Sequence, residues 1–327
     1  VDNRIELGLA TTEGDVDEIV LTSRVGPVAR RVRYEQVTHG VHATRGSVAE
    51  LSSRCRAIQR VLPSEALFSH FTGARLRGWQ LPALPEWLPI FASLPRDGTH
   101  LKRRGVYIAR TDEASVGAEL RHGARVAAPW AILAQLAQHL SLLDLIAVVD
   151  SALQIGDCKP YDIEESIRLG QWGGTRLRRA LEFADGRAES WWETPLRLLH
   201  VWSGIDVVPQ YEVRDRRGNL IARGDLWIVG TKRLHEYDGG HHDRPGTRRI
   251  DLTRDKALSR IEWERYGYVA IDLTRGADRI IRDAETALGL AHRRTRLQRW
   301  RAEAARSTLS VRGRAALARR LVRYDRR

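Results

Sequence analysis

Cysteine is nearly absent from this chain of 327 residues. The two present, Cys55 and Cys158, stand far apart and neither has a C-x-x-C neighbour. That argues against a disulfide framework and a zinc ribbon, and fits a reducing interior. Long apolar runs are missing too: the strongest, around Leu142 to Val149, is too short to cross a bilayer. The opening residues, Val1-Asp2-Asn3-Arg4-Ile5-Glu6, lack the basic-then-apolar order of a signal peptide. A cytoplasmic protein without membrane association is the expectation. Lysine is scarce, confined to Lys102, Lys159, Lys232 and Lys256. Arginine therefore supplies nearly all the positive charge, as a GC-rich coding bias would produce.

What is present describes an ordinary globular chain, 43% apolar and 29% charged. Its length exceeds what one hydrophobic core usually serves, so two domains are the starting expectation. The net charge of +13 is unevenly spread: residues 291–327 hold thirteen arginines against Glu303 and Asp325, and the rest is close to neutral. Such a segment has two readings, a polyanion-binding surface that releases counterions from phosphates, or a solvated helical tail.

Residues 1–60 carry Arg30-Arg31-Val32-Arg33-Tyr34 and Thr38-His39-Gly40-Val41-His42. The pattern is compatible with two short strands around a turn, as in the wing of a degenerate winged helix. Helical periodicity is plausible from Val48 to Gln59. A second helix is expected to begin at Ser64, with Ala66, Leu67, Phe71, Ala74 and Leu76 on its apolar side. Pro82, Pro85, Pro89 and Pro95 break the chain into extended pieces and turns, and Gly105 to Ala109 reads as a strand. Pro129 to His139 and Leu142 to Gln154 read as apolar helices. Two more follow, Ile163 to Leu169 and Thr175 to Phe183, before a boundary at Asp185-Gly186-Arg187.

Within this α-rich stretch, Ser69-His70-Phe71-Thr72-Gly73-Ala74-Arg75-Leu76-Arg77-Gly78 resembles the S-H-x-T-A-A-x-L-x-G segment of the antitoxins of abortive-infection type IV toxin–antitoxin systems. Gly73 replaces the first alanine. The resemblance extends over residues 60–155 and implies a region, 61–185, that binds DNA or a protein partner. Read as residues alone, Ser69, His70 and Thr72 open a helix and can satisfy its free N–H groups; phosphate contact is the other reading.

Beyond Gly186 the pattern sharpens. Ser190 to Ser203 reads as a helix closed by Gly204. Val207 to Arg214 and Leu220 to Val229 read as strands around the turn Asp215 to Asn219, with Arg233 to Asp238 as a third. A Gly239-Gly240 loop, a long helix from Arg248 to Tyr266 and a strand from Tyr268 to Leu273 complete residues 186–290. The last strand can add in parallel beside an earlier one through the crossover helix.

Four carboxylates fall at informative places in that frame: Glu193 in the helix, Asp225 in the second strand, and Glu236 and Asp238, two apart and so on one side of the third. Carboxylates gathered in this way repel one another unless a cation sits among them, and hard oxygen ligands select magnesium or manganese. Each residue also has a structural reading. Glu193 suits a helix's first turn, Asp225 a paired carboxylate, and Arg254-Asp255 an ion pair.

The ordered series Glu193-Thr194-Pro195-Leu196-Arg197, Gln210-Tyr211-Glu212-Val213, Asp225-Leu226, Glu236-Tyr237-Asp238-Gly239-Gly240-His241-His242, Arg254-Asp255, Leu258 and Tyr266-Gly267-Tyr268-Val269 resembles the PD-(D/E)XK nuclease superfamily. Its nearest likeness is to the branch similar to very-short-patch-repair endonucleases. The resemblance implies a restriction-endonuclease-like αβββαβ domain within an α/β (α+β) chain, and a metal-dependent endonuclease that hydrolyses DNA phosphodiesters. It implies Asp225, Glu193 and Asp238 as ligands of Mg2+ or Mn2+, with Glu236 at the acidic position of the wider motif. His242, or His241, would activate water or protonate the leaving group. Arg254, with Arg248 and Arg249, would meet phosphate. Asp238 stands where most of the superfamily carries a catalytic lysine. The rival expectation is a non-catalytic DNA-binding regulator of antitoxin type with a degenerate nuclease domain; RNA as the substrate also stays open. Among the tryptophans, Trp191, Trp192, Trp202, Trp227 and Trp263 are open to base stacking or to core packing.

Overall fold

The computed structural model describes residues 19–21, 34–111, 117–168, 173–239 and 254–325. The chain mixes helices with three sheets. Strands β1 (Ile19–Leu21), β2 (Tyr34–Thr38) and β3 (Val41–Thr44) form the first, in the order β1-β3-β2. The turn between β2 and β3 falls at His39-Gly40, where Gly40 takes φ +78°, a conformation that costs a residue without Cβ nothing. Helix α1 (Leu51–Gln59) follows.

The second sheet corrects the expected helix at Ser64. Leu67–Phe68 is a two-residue strand, β4, at the centre of a five-stranded sheet. Its companions are β5 (Ile90–Leu94), β6 (Val106–Arg110), β7 (Glu119–Arg121) and β8 (Ala124–Val126), in the order β6-β5-β4-β8-β7. A short, wholly buried apolar run carries no period that separates strand from helix. Helix α2 (His70–Leu76) starts only after it. Ser69, His70 and Thr72 do open this helix, but Ser69 makes no side-chain cap to its backbone N–H groups. Ser69 Oγ meets His70 Nδ1 at 3.0 Å, the His70 N–H donates to Gln135 Oε1, and Thr72 Oγ1 accepts from the Phe91 N–H.

Helices α3 (Pro129–Ala137), α4 (Leu142–Gln154), α5 (Pro160–Arg168) and α6 (Gly174–Leu181) complete the α-rich region. Ser141 caps α4 by accepting from the Asp144 N–H. No helix among the described residues is long and apolar enough to span a membrane.

Helix α7 (Glu193–Trp202) leads into β9 (Val207–Arg214), β10 (Leu220–Ile228), β11 (Arg233–Tyr237) and β12 (Glu264–Tyr268). The sheet order is β12-β11-β10-β9, antiparallel except for the parallel pair β11–β12, in which His235 faces Tyr266 and Glu236 faces Gly267. The expected long helix is shorter than its pattern suggested. Helical residues 254–260 end before Glu262, which sits at φ +60°, and the strand begins at Glu264 rather than Tyr268. Arg265 and Tyr266 thereby move from the helix into the sheet. Helices α8 (Ala270–Arg275), α9 (Ala277–Ala287), α10 (Gln298–Arg306) and α11 (Val311–Asp325) close the described chain.

One main hydrophobic cluster runs from Val37 to Tyr324, taking in Leu226, Ile228 and Tyr268 of the last sheet. A smaller one joins Val213, Ala222 and Leu234 to Leu258, beneath the stacked rings of Tyr211, Trp227 and Trp263. Trp202 lies buried against Trp300. The arginine-rich helices are fastened to the body. Asp144, 1% exposed, accepts from Ser307 Oγ (2.6 Å), Thr308 Oγ1 (2.9 Å) and the Thr308 N–H, while Trp300, Leu317 and Leu321 are buried. Many of those arginines serve internal partners: Arg296 lies by Glu285, Arg299 over Phe183, and Arg320 donates to the His139 carbonyl.

Asp150 of α4 ties the α-rich region to α7. Its Oδ2 accepts from Thr194 Oγ1 and Arg197 Nη2, both at 2.7 Å, and its Oδ1 from the Asp185 N–H at 2.7 Å. Asp150→Ala would leave the Arg197 guanidinium, 7% exposed, without its counter-charge. A loss of about 3–5 kcal/mol is expected for breaking a buried pair, read as a fall in the urea midpoint.

Four buried histidines set the response to acid. Burial drives His70 down to about 3, helped by His139 and Arg323, and His139 to about 4. Burial also takes His200 to about 4, and burial with His200 and Arg233 nearby holds His235 well below the ordinary value of 6.5. Each is neutral in the native chain and gains a proton more readily when unfolded. Their contribution to stability is therefore whole above pH 6.5 and is lost as pH falls towards 4. The raised carboxyls of Asp144, Asp225 and Glu236 act in the opposite sense, and against them the four histidines should give a net drop in denaturation midpoint between pH 6.5 and pH 5, a trend that a flat profile would refute.

Candidate active site

Helix α7 begins at Glu193 because Asp150 pins the next residue, Thr194, and its neighbour Arg197. The Glu193 side chain is buried at 8% exposure, and its Oε2 accepts from the Glu189 N–H and from Gln210 Nε2, both at 2.8 Å. Gln210 sits in β9 with φ +50°, a region that non-glycine residues seldom occupy. In the ladder it stands opposite Asp225, since Tyr211 pairs with Gly224 and Pro209 with Leu226. A glutamine held in a rare conformation thus carries the helix carboxylate towards the strand carboxylate.

Asp225 Oδ2 accepts from the Tyr237 N–H at 2.8 Å. Burial, then the charges of Glu193 and Glu236, push its carboxyl up to about 7, against the opposing pull of that N–H and of Arg254. Glu236 is treated differently. One oxygen pairs with Arg254 Nη2 and the other with Arg265 Nη1 at 2.9 Å. Burial still raises its carboxyl despite both arginines. Arg265 also donates to Asp255 Oδ1 at 2.9 Å, and these carboxylates hold its guanidinium protonated still more firmly than usual despite its burial.

Asp238 lies just past β11, its N–H donating to the Tyr268 carbonyl at 2.8 Å. Its Oδ1 is 3.8 Å from Arg265 Nη1, so Glu236 and Asp238 address the same arginine. Its other oxygen lies over Gly267, where a Cβ would come within 1.7 Å of Oδ2. Only glycine leaves room for the carboxylate there. Arg254 also donates to the Arg223 carbonyl, and Asp255 pairs with Arg265 rather than with Arg254.

The geometry therefore brings Glu193 and Glu236 within electrostatic reach of Asp225, and Asp238 within reach of Glu236 and Arg265. Among the described residues, no group of three or more His, Cys, Asp and Glu side chains is arranged to hold a metal ion. His241, His242, Arg248 and Arg249 lie outside the described residues. Trp192 stacks on Tyr237 at 5.2 Å with rings 8° apart, and Trp191 meets Trp192 edge-on, so packing claims one face of Trp192.

Two positions of the candidate site are not singled out by the sequence. Arg265 was hidden by a helical reading of residues 248–266; the run from Glu264 to Tyr268 before Val269 was the available sign of a strand. Gln210 was noticed only as part of a series, and its strained backbone leaves no mark in a single sequence.

No protein-family model and no solved structure matches the chain. It is 29% identical over 171 residues to uncharacterized proteins of two Mycobacterium tuberculosis strains, an alignment spanning 50% of this chain and 63% of each relative.

Gly267→Ala should displace the Asp238 carboxylate from its place beside Arg265 with little loss of stability, because the group it meets is the end of a partly exposed side chain; an unchanged melting temperature checks this. Asp225→Asn should raise the melting temperature in the absence of divalent cation, because it removes one charge from a buried like-charged group while keeping an acceptor for the Tyr237 N–H. A lower melting temperature would show that the charge is compensated.

Proposed function

We propose that this chain is a divalent-cation-dependent nuclease that hydrolyses DNA phosphodiesters. One observation carries the reading: Asp225 is buried beside Glu193 and Glu236 and forms no salt bridge among the described residues, while Arg254 and Arg265 pair with Glu236, so its carboxyl is pushed up to about 7 and ionising it is costly. A hard cation relieves that cost. The donor set fits such an ion at two carboxylates, Glu193 and Asp225, each of which uses one oxygen within the protein and, among the described residues, makes no hydrogen bond with its other oxygen. Bound there, Mg2+ or Mn2+ would polarise a phosphoryl oxygen and acidify water.

The protein's own residues supply the rest. Gln210 and the Glu189 N–H orient Glu193, and the Tyr237 N–H orients Asp225. Arg254 and Arg265 concentrate positive charge at the edge of the carboxylate group, where a phosphate would sit once Glu236 shares them. Asp238 or His242 would take or return the proton of the attacking water.

In a plasmid-nicking assay with Mg2+ or Mn2+, the full chain should cleave and Asp225→Ala should lose at least about a hundredfold in rate, as removal of a principal catalytic group does. The variant's circular dichroism should match the parent's. Undiminished cleavage by a folded Asp225→Ala protein would remove the assignment, and RNA offered in parallel identifies the polymer.

A second reading rests on Glu236, whose oxygens are both taken by arginines. An acidic site neutralised from within suits a DNA- or protein-binding regulator that no longer cuts. Such a protein would bind DNA but show neither nicking nor a rise in melting temperature on Mg2+ titration.

A further inference from the structure

A cavity of about 490 Å3 lies far from the carboxylates in sequence, between the segment that enters β5, the turn before β6, helix α1 and the last helix. Its size falls within the range of small-ligand pockets. Four separate stretches build it: Arg54 of α1, Glu86 and Trp87 ahead of β5, Arg104 before β6, and Tyr324 of α11.

The walls are fixed by the protein itself. The Ile90 N–H donates to the Gly105 carbonyl at 2.9 Å, and Thr38 Oγ1 donates to the Arg104 carbonyl at 3.1 Å. Tyr324 is buried; its hydroxyl accepts from Arg323 at 2.7 Å and meets His139 Nε2 at 3.2 Å, and its ring stands edge-on to Tyr107 at 4.3 Å. The cavity is therefore preformed and does not depend on a ligand for its shape.

Its chemistry is unusual for this protein. Many arginines here, among them Arg77, Arg121, Arg233 and Arg265, are held by carboxylates. Arg54 and Arg104 are exposed and have no ion pair among the described residues, though both line one cavity. Trp87, which lines the same cavity, keeps 39% of its surface in water. Glu86, the one carboxylate on the wall, can only accept hydrogen bonds when ionised. Two forks for an oxyanion, a flat aromatic face and an acceptor for ring N–H groups together describe a nucleotide. An acidic peptide would use the arginines but would meet repulsion at Glu86 and leave the indole unused.

We propose that this cavity binds a nucleotide, its phosphate on Arg54 and Arg104, its base on Trp87, and the amino or imino edge of the base on Glu86. The site is independent of the nuclease reading, and Asp225→Ala leaves it intact.

Calorimetric titration of the full chain with nucleoside 5′-monophosphates tests this, alongside nucleosides, inorganic phosphate, a short single-stranded oligonucleotide and a glutamate peptide. Saturable monophosphate binding is expected, with nucleoside and phosphate each weaker by about tenfold or more, since each keeps only part of the contact set. Arg104→Ala and Trp87→Ala, both surface changes, should each weaken binding by about tenfold, and Glu86→Gln should alter the preference among bases. An oligonucleotide that binds more tightly than the monophosphate assigns the cavity to a strand, and the reverse assigns it to a free nucleotide. No saturation at millimolar nucleotide, affinity unchanged by both alanine variants, or tighter binding of the glutamate peptide would overturn the proposal.

Discussion

The position of the candidate site depends on a carboxylate that belongs to another part of the molecule. Asp150, at the core of the α-rich region, accepts from Thr194, Arg197 and the backbone at Asp185. Those bonds set where α7 begins and which way it runs. Glu193 is the residue immediately before Thr194, so its location follows from the anchor more than from its own contacts. Gln210 then converts that placement into proximity with Asp225, and does so from a backbone conformation that only surrounding structure can sustain.

Electrostatics divides the acidic group into two kinds of member. Glu236 is neutralised within the chain by two arginines, one from the 254–260 helix and one from β12. Among the described residues Asp225 accepts one backbone N–H, feels Arg254 only at a distance and lies close to two other carboxylates. A site with both kinds is poised between self-sufficiency and the need for an external cation. The proposed hydrolytic role and the proposed regulatory one differ in which half of this balance governs.

Much of the last sheet was legible in the sequence because its signals are local. The Asp215-to-Asn219 turn, alternation in β9 and β10 and Gly204 after α7 each speak for their own segment, and β9, β10 and β11 lie within a residue of their expected bounds. Leu67–Phe68 was illegible for the opposite reason: two buried residues pair with Ser93 and Val126, far along the chain, and no period fits in so short a stretch. Arg265 was lost through a boundary error of a few residues, which is enough to convert a helix surface into a strand facing Glu236. The carboxylates could be named individually, but their neutralisation could not. Partners such as Arg254 and Arg265 are chosen by tertiary packing, and nothing about an arginine's neighbours in sequence says which acid it will meet.

The Asp144 anchor has a consequence for how the chain is made. Beyond Ser141, its hydroxyl partners lie 163 and 164 residues downstream, and Tyr324 reaches His139 across 185. During synthesis the α-rich body must therefore emerge with a carboxylate and an imidazole still awaiting the groups that complete them. Closure over such separations is slow relative to local helix formation. Until the arginine-rich helices arrive, the apolar surface that Trp300, Leu317 and Leu321 cover stays open to water.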